Sequence, residues 1–403
     1  MKEYAIFFSI KKNTTIQNSR PSSALHSYRQ RKNDHAFRKE GGEEMALRYL
    51  NDVGEKFVWT DRKEMVRGII KACGRVVVGE TITYRQNLID GVSNVELLKG
   101  CGCDMVLINH YDMDMPMMPG LASSKEGIEK FFSLWNESGS KGAVPDPSVV
   151  EGEFQDYFLE SLGFGRTLAD VRRLAGIQVG IVLLCMENNG KIPPALLANE
   201  ENARRAVEHG ANFISLICSS DVPTEELVKH IKAVRRGFGE HGLVKAGKMQ
   251  AGGFGFKGKA EEYVTEKEIR EIAESGADVL IMPGPGTAQG FTVEIVKRWI
   301  DLAHENGILA ETAVAASLEG ADPETIKRFA ADGKMAGADL QQIGDSVYGG
   351  VSSPENILAF SQTIKGVRHT LRRIALSPIR GGSKCEAFFH DSDDMPTNEG
   401  ESL

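Results

Sequence analysis

Residues 276–292 read GADVLIMPGPGTAQGFT: a glycine, an apolar run from Val279 to Met282, then a loop holding three glycines and two prolines within eight residues. A short apolar run without alternation is the pattern of a strand buried on both faces. The same phrase, a glycine followed within three residues by an apolar run, recurs at Gly74, Gly102, Gly176, Gly210, Gly242, Gly307 and Gly337. With Gly276 there are eight, spaced 28 to 34 residues apart except for the 74 residues between Gly102 and Gly176. Each glycine suits the left-handed position that ends a helix, where a side chain is strained.

Between the runs lie amphipathic helical patterns such as NEENARRAVEHG and TEKEIREIAESG. Several open with an N-cap and acidic residues, as at Thr265 to Glu268 and Asp322-Pro323-Glu324. A doubly wound open sheet also alternates strand and helix, but eight evenly spaced units predict an α/β fold of the (β/α)8 TIM-barrel class. The long interval reads as a helical insertion after strand 2, residues 112–165, with helices near 125–136 and 150–162. Residues 45–72 are expected to lead into the barrel and close its bottom, and the barrel domain to span 45–376.

The ends differ from this middle. Residues 1–44 carry nine Lys/Arg and five Asp/Glu in polar stretches, and 381–403 hold six acidic residues and one Lys. Both 1–44 and 377–403 read as disordered extensions, the first lying upstream of a possible natural start at Met45. Over all 403 residues, 41% hydrophobic and 26% charged content describes a soluble globular chain. The formal charge of −8 argues against a nucleic-acid partner, and no apolar run is long enough for a membrane span. Six sparse cysteines without zinc spacing point to reduced thiols and a cytoplasmic location.

Barrel chemistry gathers at the C-terminal ends of the strands. The residues there are Glu80; Asn109, His110, Asp112 and Asp114; Glu187 to Asn189; Ser219 to Asp221; Lys245, Lys248 and Gln250; the Gly284–Gly290 loop; Glu311 and Thr312; and Gln341, Gln342, Asp345 and Ser346. So many carboxylates at one end repel unless a cation or a proton separates them. Asp112, Asp114 and Glu187 are candidate ligands for a divalent cation, Mg²⁺ by its preference for oxygen, or else loop caps. His110 is placed for acid–base work or for a structural hydrogen bond. Lys245 interrupts the run LVKAGKM, either as a charge partner for carboxylates or as an amine for Schiff-base chemistry. Glu187 completes the candidate catalytic set. Gly284 and Gly286, with Gly344, Ser346, Gly349 and Gly350, either bare backbone N–H groups for a phosphate or turn tight corners.

The stretch IDGVSNVELLKGCGCDMVLINHYDMD, residues 89–114, resembles the front of the phosphoenolpyruvate mutase and isocitrate lyase superfamily. That resemblance implies that Gly91, Val92 and Ser93 hold an oxyanion or carboxylate on their backbone groups. The third run departs from the superfamily, ending in CMENNG with Glu187 as its only charged candidate. Residues 45–376 are similar to uncharacterised bacterial TIM-barrel proteins labelled phosphoenolpyruvate phosphonomutase-like. The last quarter is similar in layout to ribulose-phosphate-binding barrels, which implies a phosphate on the last two loops.

These readings converge on a lyase or isomerase acting, through an enolate-type intermediate, on a small phosphorylated or carboxylated metabolite. They expect a divalent cation, no nucleic acid, no membrane, and a homo-oligomer. A Schiff-base aldolase on Lys245 and a non-catalytic metabolite-binding barrel are the alternatives.

Overall fold

The helices that end at Gly176, Gly210 and Gly337 hand the chain to a strand in the same way. Gly210 and Gly337 sit at φ 96° and 101° and close their helices with left-handed caps. Three residues on, at Phe213 and Leu340, the chain enters a strand. The computed structural model describes residues 48–379 except 53, 59, 138–160, 189, 221, 250–258 and 346–349. The expected disorder of 1–44, all but the first three residues of the expected disordered tail 377–403, and most of the second helix expected in the insertion fall outside those residues.

Eight parallel strands, β1 Val76–Ile82, β2 Met105–Asn109, β3 Gln178–Leu184, β4 Phe213–Ser219, β5 Leu243–Met249, β6 Val279–Pro283, β7 Leu309–Val314 and β8 Leu340–Ile343, form a closed barrel in sequence order. β8 pairs back onto β1, with Gln342 opposite Val78. This is a (β/α)8 TIM barrel. Helix α1 (Glu55–Val58) and helix α2 (Arg62–Ala72) precede β1. Tyr49, Phe57, Met65 and Ile69 join the inward strand residues in one apolar cluster and plug the bottom. The outer ring comprises α3 (Asn94–Gly100), α5 (Leu168–Ala175), α6 (Glu200–His209), α7 (Thr224–Phe238), α8 (Glu266–Glu274), α9 (Val293–Glu305), α10 (Pro323–Ala336), α11 (Pro354–Lys365) and α12 (Val367–Ala375). Helix α4 (Lys125–Glu137) belongs to the insertion after β2, which is tied together by a Met117–Phe164 bridge.

A polar device repeats at every second strand. Asp104, Asn212, Asp278 and Asp339 each precede an even-numbered strand. The side chain of each accepts a hydrogen bond, at 2.8–3.1 Å, from the backbone N–H of the odd-numbered strand before it: Val77, Val179, Val244 and Ala310. Buried N–H groups at the strand entrances are thereby satisfied, and the strands are pinned in pairs. Asp278 also holds Arg62 of α2 and Arg235 of α7, which ties the bottom plug to the helix ring.

Strand tilt in such barrels shifts the register by about one residue per strand, so inward residues stack in tiers of four from alternate strands. The ladder places Met105, Phe213, Val279 and Leu340 in one apolar tier, and Val78, Gly180, Lys245 and Glu311 in the next. Gly180 is small because a Cβ there would stand 2.4 Å from the Phe213 ring. Above lie Leu107, Ser215, Ile281 and Gln342, then Glu80, Val182, Gly247 and Ala313. The interior therefore turns from hydrocarbon to polar halfway up.

Candidate functional site

That turn is made by an ion pair. Lys245 Nζ lies 2.6 and 2.7 Å from the two carboxylate oxygens of Glu311, and both side chains are 0% exposed. The ammonium also stands 4.7 Å from the centre of the Phe213 ring, the apolar tier beneath it. Burial raises the Glu311 carboxyl above its usual range, and Lys245 opposes the shift. Lys245 is thus the charge partner of a carboxylate in the barrel centre, with no surface to offer a carbonyl. The structure does not present it as a Schiff-base amine.

Above the pair stands Glu80, from β1. Gln342 Nε2 donates to its Oε2 at 2.9 Å and Asn109 Nδ2 to its Oε1 at 3.1 Å. The Asn109 amide also reaches Asp345 Oδ2 at 3.4 Å, so Glu80 and Asp345 flank a single side chain. A third carboxylate enters from the β7 loop. Ala316 and Ser317 adopt φ 59° and 73°, rare for residues with side chains, and lead into a 3-10 turn, Leu318–Gly320. That turn carries the buried Glu319. Ser352 Oγ and Asn356 Nδ2 both donate to its backbone carbonyl at 2.9 Å, fastening the β7 loop to the start of α11. The Glu319 carboxyl packs against Gly344, where a Cβ would meet it at 3.2 Å. Burial, with the charges of Asp345 and Glu319, pushes the Glu80 carboxyl well above its usual range, against the pull of Lys245 and Gln342. Burial combined with like charge is the arrangement that favours the protonated form of a carboxyl and is found at acid–base sites.

The expected site residues are only partly brought together. His110, at φ 56°, follows Asn109 but turns its ring edge-on to Tyr84, with centroids 5.0 Å apart, and its carbonyl accepts from Thr83. Burial lowers its pKa. It is not among Glu80's hydrogen-bond partners. Asp112 accepts from the backbone N–H of Asp114, and Asp114 pairs with Arg205 of α6 at 2.7 Å, so its charge is used between the insertion and the helix ring. Glu187 is exposed. These three do not fit a common cation, and no group of three or more His, Cys, Asp or Glu among the described residues is arranged to hold one.

Among the described residues, several of the N–H groups expected to hold an anion are spent within the protein. Ser93 caps α3: its N–H and hydroxyl both go to the Glu96 carboxylate, at 3.1 and 2.7 Å, leaving a negative charge where Gly91, Val92 and Ser93 were to hold one. Val92 N–H bonds Ile89 O. In the stretch after β6, Gly284 N–H completes the ladder to Ala313 O and Gly286 N–H bonds Phe291 O, so the loop closes on itself. Gly344 N–H likewise bonds Val314 O. Gly350 is buried and its φ of 72° turns the chain past Arg85. Ser346 and Gly349 lie outside the described residues, as does Gln250. Lys248 is held at 2.8 Å by Glu268. Burial works against the charge of that carboxyl, yet bonds from Lys248, Thr224 and Thr265 hold it down at about 2. If Gly286 is a structural corner at φ 76°, Gly286→Ala should cost about 1–2 kcal/mol, read as a lower midpoint in urea unfolding. An unchanged midpoint would contradict the closed turn.

Sequence reasoning shortlisted Glu80, Asn109, Glu311, Gln342 and Asp345 by their positions after apolar runs. It missed Glu319, which lies five residues beyond β7, and Ser215, hidden within the run FISLICS.

Residues 50–380 match the family described as Domain of unknown function (DUF7916). The chain belongs to the DUF7916 family. The description names no phosphoenolpyruvate mutase-like relationship. No curated protein sequence matches the chain. Among solved structures the DUF7916 barrel is similar to the carboxyl transferase domain of Rhizobium etli pyruvate carboxylase, at 12% identity and TM-score 0.43, covering 84% of this chain and 57% of that one. An archaeal fructose 1,6-bisphosphate aldolase shows 13% identity and TM-score 0.41 over 73% and 94% of the two chains. For tryptophan synthase from M. tuberculosis the figures are 11%, 0.40, 75% and 96%. These likenesses carry nothing about substrate or reaction; the barrel is read from its own ladder. No helix among the described residues of the DUF7916 barrel is long and apolar enough to cross a membrane.

Proposed function

We propose that this barrel is an enzyme of the lyase or isomerase type that moves a proton at a carbon beside a carbonyl, with Glu80 as its acid–base residue. The observation that supports this is the placement of Glu80: a buried carboxyl at the strand tops, held by two amides and raised in pKa by burial and by Asp345 and Glu319. General acid–base groups work best when their pKa lies near the working pH, and a carboxyl reaches that range by this combination of burial and like charge. In this reading Asn109 and Gln342 orient the Glu80 oxygens, and the Lys245–Glu311 pair forms the floor beneath them. His110 lies on the same rim and has no assigned step. A cytoplasmic location and a homo-oligomer accompany the reading as expectations. The expected divalent cation enters only as a variable of the assay.

The test is proton–deuterium exchange followed by NMR. Wild-type protein is incubated in D₂O with a panel of small aldehydes, ketones and 2-oxo acids, with and without Mg²⁺ or Mn²⁺. Loss of the α-proton signal from one compound is expected, slowed about 10²–10⁴-fold in Glu80→Gln. Equal exchange in both proteins would remove Glu80 from the chemistry. No exchange with any carbonyl compound would favour the metabolite-binding alternative.

A further inference from the structure

We infer that the barrel mouth recognises a small molecule by an ammonium group, with a short apolar body lying against the β4–β7 side of the barrel. This names a substrate class for the site and so rests on the function proposed above. The mouth has two unlike halves. On the side of β8, β1 and the β7 loop stand Glu80, Asp345 and Glu319. Across from them Met249, Ile281 and Ala313 form a separate apolar cluster, with Ile217 and Ala315 packed against it. Gly247 and Ala313 are the small members of the Glu80 tier, and Gly247 is bare because a Cβ there would meet the Ile281 backbone oxygen at 1.9 Å.

The hydrogen-bonding balance decides the sign of the ligand. Gln342 is 2% exposed and Ser215 0%, and neither Gln342 Oε1 nor Ser215 Oγ has a hydrogen-bond partner among the described residues. Gln342 uses its other amide atom on Glu80, which places the orphan oxygen within the carboxylate group. Ser215 is the β4 member of the tier directly below Glu80 and pairs in register with Lys245. Buried polar atoms are rarely left without a partner, so these two await a ligand's groups. The Asn109 amide is taken by Glu80 and Asp345, one Gln342 N–H by Glu80 and the Lys245 ammonium by Glu311, while the Ser215 hydroxyl can donate as well as accept and Gln342 Oε1 can only accept. A carboxylate or phosphate at this spot would meet three carboxyl groups and no free inward cation among the described residues. An ammonium brings three donors and a compensating charge, and its hydrogen bonds to ionised acceptors are of the stronger kind.

The test compares n-butylammonium, butanoate and 1-butanol by saturation-transfer NMR on the full chain. Transfer to the methylenes of n-butylammonium is expected, with about tenfold weaker binding in Asp345→Asn and in Glu319→Gln. The two variants read the same property independently, and a thermal melt of each shows which is folded. The inference is overturned if butanoate or butanol binds as well as the ammonium, if the ammonium fails to bind, or if folded variants bind it as wild type does. Because binding is read without turnover, its failure beside intact Glu80-dependent exchange removes the substrate class alone. Ammonium binding without any exchange removes the reaction and leaves the site.

Discussion

Lys245→Met should lower the unfolding free energy by about 3–5 kcal/mol, because it leaves Glu311 buried without a counter-charge. Among the described residues Lys245 is the one cation paired with Glu311. Both partners are fully buried, and the Phe213 ring beneath them is apolar. The double variant Lys245→Met/Glu311→Leu should recover most of the loss, since a buried ion pair exchanged for packed hydrocarbon is often neutral in stability. The difference between the single and double variants in urea unfolding measures the pairing. The pH dependence fixes its sign. Burial already raises the folded-state pKa of Glu311 while Lys245 pulls it down, and removing Lys245 raises it further. The folded variant then holds a proton that the unfolded chain releases. Its deficit should shrink as pH falls through the window between the unfolded and folded pKa values, and be complete above it. A single variant as stable as wild type at neutral pH would mean that the pair does not carry the charge its geometry implies.

Asp104→Ala should cost a comparable 3–5 kcal/mol, with the opposite dependence on pH. Asp104 binds Lys365 Nζ through one oxygen and Arg373 Nε through the other, both at 2.8 Å, and also accepts from Val77 N–H. Arg373 donates in turn to Tyr49 O and Asp52 O, so the carboxylate joins the last helix to the plug below the barrel. Removing it strands two buried cations and a strand-entrance amide. Burial lowers the Lys365 pKa, and Asp104 is what raises it again. Without that carboxylate the folded protein binds Lys365's proton less tightly than the unfolded chain does. Stability should therefore improve as pH rises through the window between the folded and unfolded Lys values, leaving the Arg373 share of the loss. Asp339→Ala is the control. It fills the same position at β8, but its charged partner is the half-exposed His304, so about 1 kcal/mol is expected. Equal losses from the two variants would show that the backbone clamp, rather than the buried cations, carries the energy.

How legible the site was follows from which forces act locally. Gly286 is expected as an anion donor because a loop that frees its N–H groups looks the same in sequence as one that spends them, and Ser93 because residues 89–114 resemble a superfamily that uses that position so. Only the partner atoms, Glu96 and Phe291 O, tell the two apart. Asp114 was read as a cation ligand for a similar reason. Arg205, which takes its charge, is 91 residues away and reaches it only once α6 packs beside the insertion.

The sequence by itself determined the barrel. Eight glycine-ended helices, each followed by an apolar run at a nearly constant interval, leave few ways to bury every strand on both faces, and closing the sheet removes its edges. It also determined the strand-top shortlist, because strand order and chain direction put those residues at one end. Tertiary structure alone decided which of them meet. Whether an inward residue lands in the Lys245 tier or the Glu80 tier depends on the register of all eight strands together, and one residue of slip turns every side chain to the other face. Glu319 is the clearest case: its carboxyl reaches Gly344 and its charge reaches Glu80 only because a strained turn, pinned by Ser352 and Asn356, carries it back over the mouth. Those contacts join the β7 loop to the start of α11, and no spacing along the chain encodes them.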